Sequence, residues 1–253
     1  MRDPHVQAIF YKISSGEGFS YVNPESVSFS NDLGTFDLND GRLRVVPRDH
    51  FTNEADAHRT IEPFLQAWEI ETDLTSRLGL IRFKCEGAEV IDRNPPPLGS
   101  SQVIEVGTAS IVTVGCSASL HTTHSKYLQP PKTFRVTPDV QSAYERWLGY
   151  RSGKEPLQGM AYFVLTCVES IGGGRKGAAH FFQIDSSVLS KIGNLSSTKG
   201  DKSTARKAGT NVELSDSEKQ WLEQTMRRVI HRLGEHSMGA PLTLISLCDL
   251  PSL

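Results

Sequence analysis

The chain has 253 residues, with 27 Lys+Arg against 29 Asp+Glu, a formal net charge of −2 and 38% hydrophobic residues. That balance excludes a histone-like protein that coats nucleic acid and an acidic solvating chain, and the apolar fraction suffices for a packed core. No apolar run approaches the roughly 18 residues of a membrane span, and Met1–Phe10 carries charges and Pro4 where a signal peptide needs its apolar stretch. A soluble, cytoplasmic protein of one large or two small domains is expected.

The first half reads as β. His5 to Ile13 is rich in β-branched and aromatic residues. Thr35 to Val46 predicts a hairpin, because Asp40-Gly41 suits the positive φ angles of a tight turn. Thr52 or Asn53 caps a helix to about Leu74, with Ala57, Ile61, Phe64, Leu65 and Trp68 on one face. Pro63 inside it predicts a kink or a helix in two pieces. Leu80–Cys85 and Ala88–Arg93, around Glu86-Gly87, read as a second hairpin, which the three prolines after Asn94 terminate. Gln102–Val106, Ser110–Ser119 and Lys132–Val136 are further strand candidates.

The second half reads as helical. Thr137-Pro138 has the form of an N-cap followed by proline at the first helical position, with Val140, Tyr144, Trp147 and Leu148 on one face. Leu157, Met160, Ala161, Val164, Leu165 and Val168 form the clearest apolar stripe, and Gly172-Gly-Gly174 ends it. A shorter helix from Asp185 carries Val188, Leu189 and Ile192 and stops at Gly193. Ser196 to Thr210 reads as a loop. Ser215 and Glu218 form a capping box for the last long helix, which carries Trp221, Leu222, Met226, Val229 and Leu233 and places Arg227, Arg228 and Arg232 towards its C-terminal end. Leu242–Leu250 is a final extended segment. The expected fold is α+β: a β-rich region over 1–136 with one packed helix, then a helical bundle over 137–253.

No complete catalytic motif is present. Gly149 to Glu155 lacks the spacing and the hydroxyl of a nucleotide loop, and Gly172 to Gly177 follows no strand. Cys116, His121 and His124 form the one Cys/His cluster, but with no fourth ligand. The other cysteines, Cys85, Cys167 and Cys248, make no C-x-x-C pair. Glu69, Glu71 and Asp73 read as a solvated face, as carboxylates usually are. No metal or cofactor is expected.

Charge is uneven. Residues 1–136 carry 13 Lys+Arg and 17 Asp+Glu, whereas residues 137–253 carry 14 and 12. Lys199, Lys202, Arg206 and Lys207 concentrate the positive charge among serines and glycine, a composition able to contact phosphate.

The passages Tyr144–Trp147 and Met160–Glu169 resemble the paired central helices of HEPN domains in prokaryotic defence proteins, which follow a β-rich N-terminal domain. Trp221–His236 resembles their terminal helix, and Lys191 to Lys207 is similar to uncharacterised bacterial proteins. The likeness rests on helix pattern over about residues 137–236. It implies that an arginine and a histidine with four to six residues between them cleave RNA, the histidine handling protons and the arginine stabilising phosphate charge. Arg175 and His180 have that spacing in the helical half, as do Arg44 and His50 in the β half. The last helix departs from it, offering Arg227/His231 and Arg232/His236 with three residues between. Three functions are therefore expected, in this order. The first is a non-catalytic interaction or regulatory protein linked to bacterial defence or RNA metabolism, with RNA or another phosphate-bearing ligand as partner and a homodimer through the bundle. The second is a metal-independent ribonuclease, and the third a small-ligand-binding domain with its pocket between sheet and bundle.

Overall fold

The computed structural model describes residues 3–16, 19–94, 122–199, 213–239 and 241–252. The fold is α+β, in two compact units, Met1–Pro130 and Pro131–Leu253. The predicted strands at 102–106 and 110–119 lie outside the described residues.

In the first unit, strands β1 (Pro4–Ser14), β3 (Val27–Asn31), β4 (Gly34–Asn39), β5 (Arg42–Pro47) and β6 (Arg82–Asp92) form an antiparallel sheet in the order β3-β4-β5-β1-β6. The predicted Asp40-Gly41 turn joins β4 to β5, with φ of 48° and 74°. Strands β2 (Phe19–Glu25) and β7 (Thr122–Lys126), which the sequence pattern did not reveal, pair in parallel. The loose alternation of β1 has a cause: its register against β6 shifts between Val6 and Ala8. The resulting bulge at Gln7 puts Val6, Ile9, Tyr11 and Ile13 on the buried face.

The predicted hairpin over 80–93 is corrected. Residues 82–92 are one strand, because β1 is long enough to pair with all of it. The residues read as a turn form a second bulge, where Phe10 pairs with Gly87 and Tyr11 with Cys85, leaving Glu86 as the extra residue. Helix α1 (Glu54–Thr75) is capped by Asn53, whose side chain accepts the Asp56 N–H at 2.9 Å. It runs unbroken through Pro63, not in two pieces. Arg59 and Pro63 are both exposed, so water can satisfy the carbonyl that the proline leaves without a donor. Ala57, Ile61, Leu65 and Trp68 pack on the sheet residues Ile9, Phe36, Leu38 and Val45.

The second unit contains α2 (Pro138–Arg151), α3 (Leu157–Ile171), α4 (Arg175–Phe182), α5 (Ser186–Ser197) and α6 (Asp216–His236). The most apolar helix, α3, packs against each of the other four. Thr137, Asp185 and Ser215 are N-caps as their sequence contexts predict, and Ser215 with Glu218 closes a full capping box. Helix α4 was hidden by the glycine triplet, which reads only as the end of α3. Helix α5 continues past Gly193 to Ser197, because Leu195 extends its buried face.

Lys132–Val136 is not a strand. The Phe134 ring fills a notch over Gly234, where a Cβ would lie 2.2 Å from the ring. Arg135 N–H donates to the Gly234 carbonyl at 3.1 Å, and Ser237 Oγ donates to the Arg135 carbonyl at 3.1 Å. The segment is thus fastened to α6 along its length, so the second unit begins ahead of its first helix. Ile245 forms a parallel bridge with Ile184, and Leu247–Asp249 is a 3-10 turn rather than a continued extended strand.

Candidate functional site

The C-terminal half of α6 gathers most of the predicted catalytic residues. Spacing of three and four places Arg232 and His231 beside Glu235 on neighbouring turns. His231 Nδ1 lies 3.6 Å from Glu235 Oε1, and Arg232 Nε donates to Glu235 Oε2 at 2.8 Å. The His231 imidazole beside it, opposed by partial burial and reinforced by Arg232, holds the Glu235 carboxyl below the usual carboxylate range. The His231 ring stacks on Phe134, with centroids 5.3 Å apart.

Arg232 is 5% exposed. Its Nη1 donates to the carbonyls of Phe182 at 2.8 Å and Gln183 at 3.2 Å. Those are the last carbonyls of α4, which have no intrahelical donors, and a cation there suits the helix dipole. Arg232 therefore caps another helix. His236 packs its ring against Phe181 and Phe182, at 4.1 and 5.0 Å between centroids. Arg227 sits one turn before His231.

Arg175 and His180 do not converge. They lie on α4 five residues apart, about 140° around the helix at 3.6 residues per turn. Arg175 reaches back to Glu169, Nε to Oε1 at 2.6 Å, and its guanidinium covers Gly193. His180 is exposed. Gly172 and Gly177 mark the crossing of α3 and α4: a Cβ on Gly177 would lie 1.9 Å from the Gly172 carbonyl oxygen. That stretch is a packing device, consistent with its failure to match a phosphate loop. In the β unit, Arg44 and His50 fall on β5 and in the segment after it. The His50 Nδ1 is 2.9 Å from His5 Nδ1.

Of the predicted phosphate contacts, Lys202, Arg206 and Lys207 lie outside the described residues. Lys199 is described, and its Nζ donates to both oxygens of Glu218 at 2.6 and 2.7 Å. Burial works against the charge on Glu218, yet Lys199 and the Ser215 N–H hold its carboxyl below the usual range. The pair borders an open groove of about 440 Å³ between α5 and α6, lined also by Ser190, Lys191, Asn194 and Leu195. Lys191 Nζ lies 5.0 Å from the centre of the Trp221 ring. Sequence reasoning missed Lys191 and Glu218 as groove residues. The capping box at Ser215 was the signal for Glu218, since it fixes that side chain at the helix end.

The carboxylates Glu69, Glu71 and Asp73 are not a solvated face. Asp73 is fully buried. It accepts from Arg82 Nη2 at 2.5 Å and from the Gly79 N–H at 2.7 Å. Glu69 accepts the Phe83 N–H at 2.7 Å, and burial pushes its carboxyl up in spite of that bond. Together they fasten the turn from α1 into β6. Cys116 and His121 lie outside the described residues, and His124 is on β7 beside the rings of Phe19 and Tyr21. Among the described residues, no three His, Cys, Asp or Glu side chains are placed to hold a metal ion, and no helix is long and apolar enough to cross a membrane.

Comparison of the chain with family models, with curated proteins and with solved structures gave no match in any of the three.

Proposed function

We propose that this chain is a non-catalytic interaction or regulatory protein. The reading is carried by the commitment of Arg232. A ribonuclease arginine must reach a scissile phosphate, whereas this one is buried on two carbonyls and a carboxylate. Arg175 is likewise held by Glu169. The resemblance of the helix pattern in the sequence to HEPN domains is what supports a place in bacterial defence or RNA metabolism. Incubation of the purified protein with total RNA, with and without chelator, tests the reading. Intact RNA is the expected outcome.

A second reading rests on the contact between His231 and Glu235. A carboxylate beside an imidazole Nδ1 orients the ring as general bases require. In that reading the chain is a metal-independent, HEPN-like ribonuclease. Cleavage that survives chelator and disappears in His231→Ala, with the fold retained, would establish it and overturn the first.

A further inference from the structure

We propose that the groove between α5 and α6 binds a phosphate group carried on a small molecule, and that Glu218 is the built-in competitor the ligand displaces from Lys199. The proposal is independent of whether the protein cleaves RNA.

The groove has the makings of such a site. Its volume of about 440 Å³ lies within the range of small-molecule pockets, roughly 300–1,000 Å³. One face of α5 supplies Ser190, Lys191 and Asn194, with Leu195 as an apolar floor. Thr198 Oγ1 lies 2.7 Å from both the backbone carbonyl oxygen and the Oδ1 of Asn194, and the Asn194 side-chain amide brings to the groove an N–H donor of the kind a phosphate oxygen accepts. Two ammonium groups and two neutral polar side chains against one carboxylate favour an anion with several acceptor oxygens, and phosphate is that anion.

The carboxylate gives the site its control. Glu218 has two separable tasks. Oε2 accepts the Ser215 N–H at 2.9 Å and so completes the cap of α6. Both oxygens also receive Lys199. The cap does not require the lysine. A phosphate can therefore take Lys199 while Glu218 keeps the Ser215 N–H and α6 stays capped. Lys191, with its Nζ 5.0 Å from the centre of the Trp221 ring, has no carboxylate partner among the described residues and supplies the second cation of the groove. Each gain on Lys199 is offset by the ion pair it breaks, so binding in the unmodified protein is weak and binding without the carboxylate is strong.

Glu218→Gln separates the two tasks, because glutamine also serves at that position of a capping box but carries no charge. Calorimetric titration of the full chain with inorganic phosphate and with adenosine 5′-monophosphate is the test. Glu218→Gln is expected to tighten binding about fivefold, the upper order of one partly exposed ion pair removed from competition. Lys199→Gln and Lys191→Gln are each expected to weaken it several-fold. Lys191→Gln touches neither the cap nor the ion pair, so it keeps the test open if Glu218→Gln does not fold. Tighter binding of the nucleotide than of free phosphate assigns the groove to a phosphoester; equal binding assigns it to phosphate itself. No binding by either probe at millimolar concentration, in the unmodified chain and in Glu218→Gln, overturns the site. Binding that Glu218→Gln leaves unchanged overturns the competitor. Binding only to an RNA oligonucleotide, with steep salt dependence, overturns the small-molecule assignment.

Discussion

The two units place their charges in opposite ways. In the β unit a carboxylate, Asp73, is carried fully inside and matched there by Arg82 and a backbone N–H, where it fixes a chain reversal. In the helical unit the committed charges sit at helix ends. Arg232 closes the C-terminus of α4, and Glu218 closes the N-terminus of α6. A sheet-and-helix layer has its backbone satisfied by the ladder, so its buried charge holds a connection. A bundle leaves four donors and four acceptors open at each helix, and its charges are drawn to them. The candidate ligand site follows from the second arrangement, because a capping side chain near the surface can exchange partners and a buried one cannot.

The contrast can be broken by substitution. Asp73→Ala is expected to have the largest effect, a loss of about 3 kcal/mol, since it leaves the Gly79 N–H without its acceptor and takes from Arg82 its nearest carboxylate, with Glu69 at 4.0 Å remaining. Urea unfolding read through amide exchange in β1 and β6 measures it, and a loss under 0.5 kcal/mol would show that the buried pair does not hold the reversal. Arg232→Met is expected to cost about 2 kcal/mol in the helical unit, by taking the donor from the Phe182 carbonyl and the cation from Glu235 while keeping much of the packing; the Gln183 carbonyl keeps the Ile245 N–H. Arg232→Lys should recover little, because an ammonium lacks the planar fork that serves carbonyls and carboxylate together. Ser215→Ala should remove about 1 kcal/mol from the same unit by opening the cap, visible as faster exchange in the first turn of α6.

Acid sharpens the comparison most finely. Glu235, lowered chiefly by His231, and Glu218, lowered by Lys199 and Ser215 against the effect of burial, stabilise the fold above the ordinary carboxylate pKa. That contribution is lost as pH falls through their depressed folded values. Glu69 has the opposite sign. Desolvation raises its folded pKa, so its charge is a penalty at neutral pH that is relieved as pH falls through that raised value. From these groups, the helical unit should lose exchange protection on acidification before the β unit does. Glu69→Gln should stabilise the β unit at neutral pH, with the advantage fading towards the ordinary carboxylate range. A β unit that loses protection first would reverse the assignment.

Much of this architecture was legible in local chemistry. The caps at Asn53, Thr137, Asp185 and Ser215, the Asp40-Gly41 turn and the α3 stripe each depend on residues a few positions apart. What misled depended on distant partners. Glu86-Gly87 has the composition of a turn, and only the length of β1 makes it a bulge. Lys132–Val136 has the composition of a strand, and only the notch at Gly234 makes it a fastening. The site divides in the same way. Glu218 could be placed from its cap, whereas nothing near Arg232 in sequence reveals that its guanidinium ends on the carbonyls of Phe182 and Gln183.

The sheet order has a consequence for how the chain is made. β1 emerges first from the ribosome, yet both of its neighbours, β5 and β6, come later, and its ladder to β6 joins Pro4 to Asp92. The meander β3-β4-β5 closes over short turns and can assemble at once, whereas the inner strand must wait through most of the unit's synthesis with one edge open. Loop closure over that span carries the largest entropic cost in the sheet, and until it is complete β1 presents one unpaired edge, although α1 can already cover the face that bears Val6, Ile9, Tyr11 and Ile13. The nascent first unit is thus most vulnerable to aggregation before β6 has been synthesised, long before the helical bundle exists to be judged.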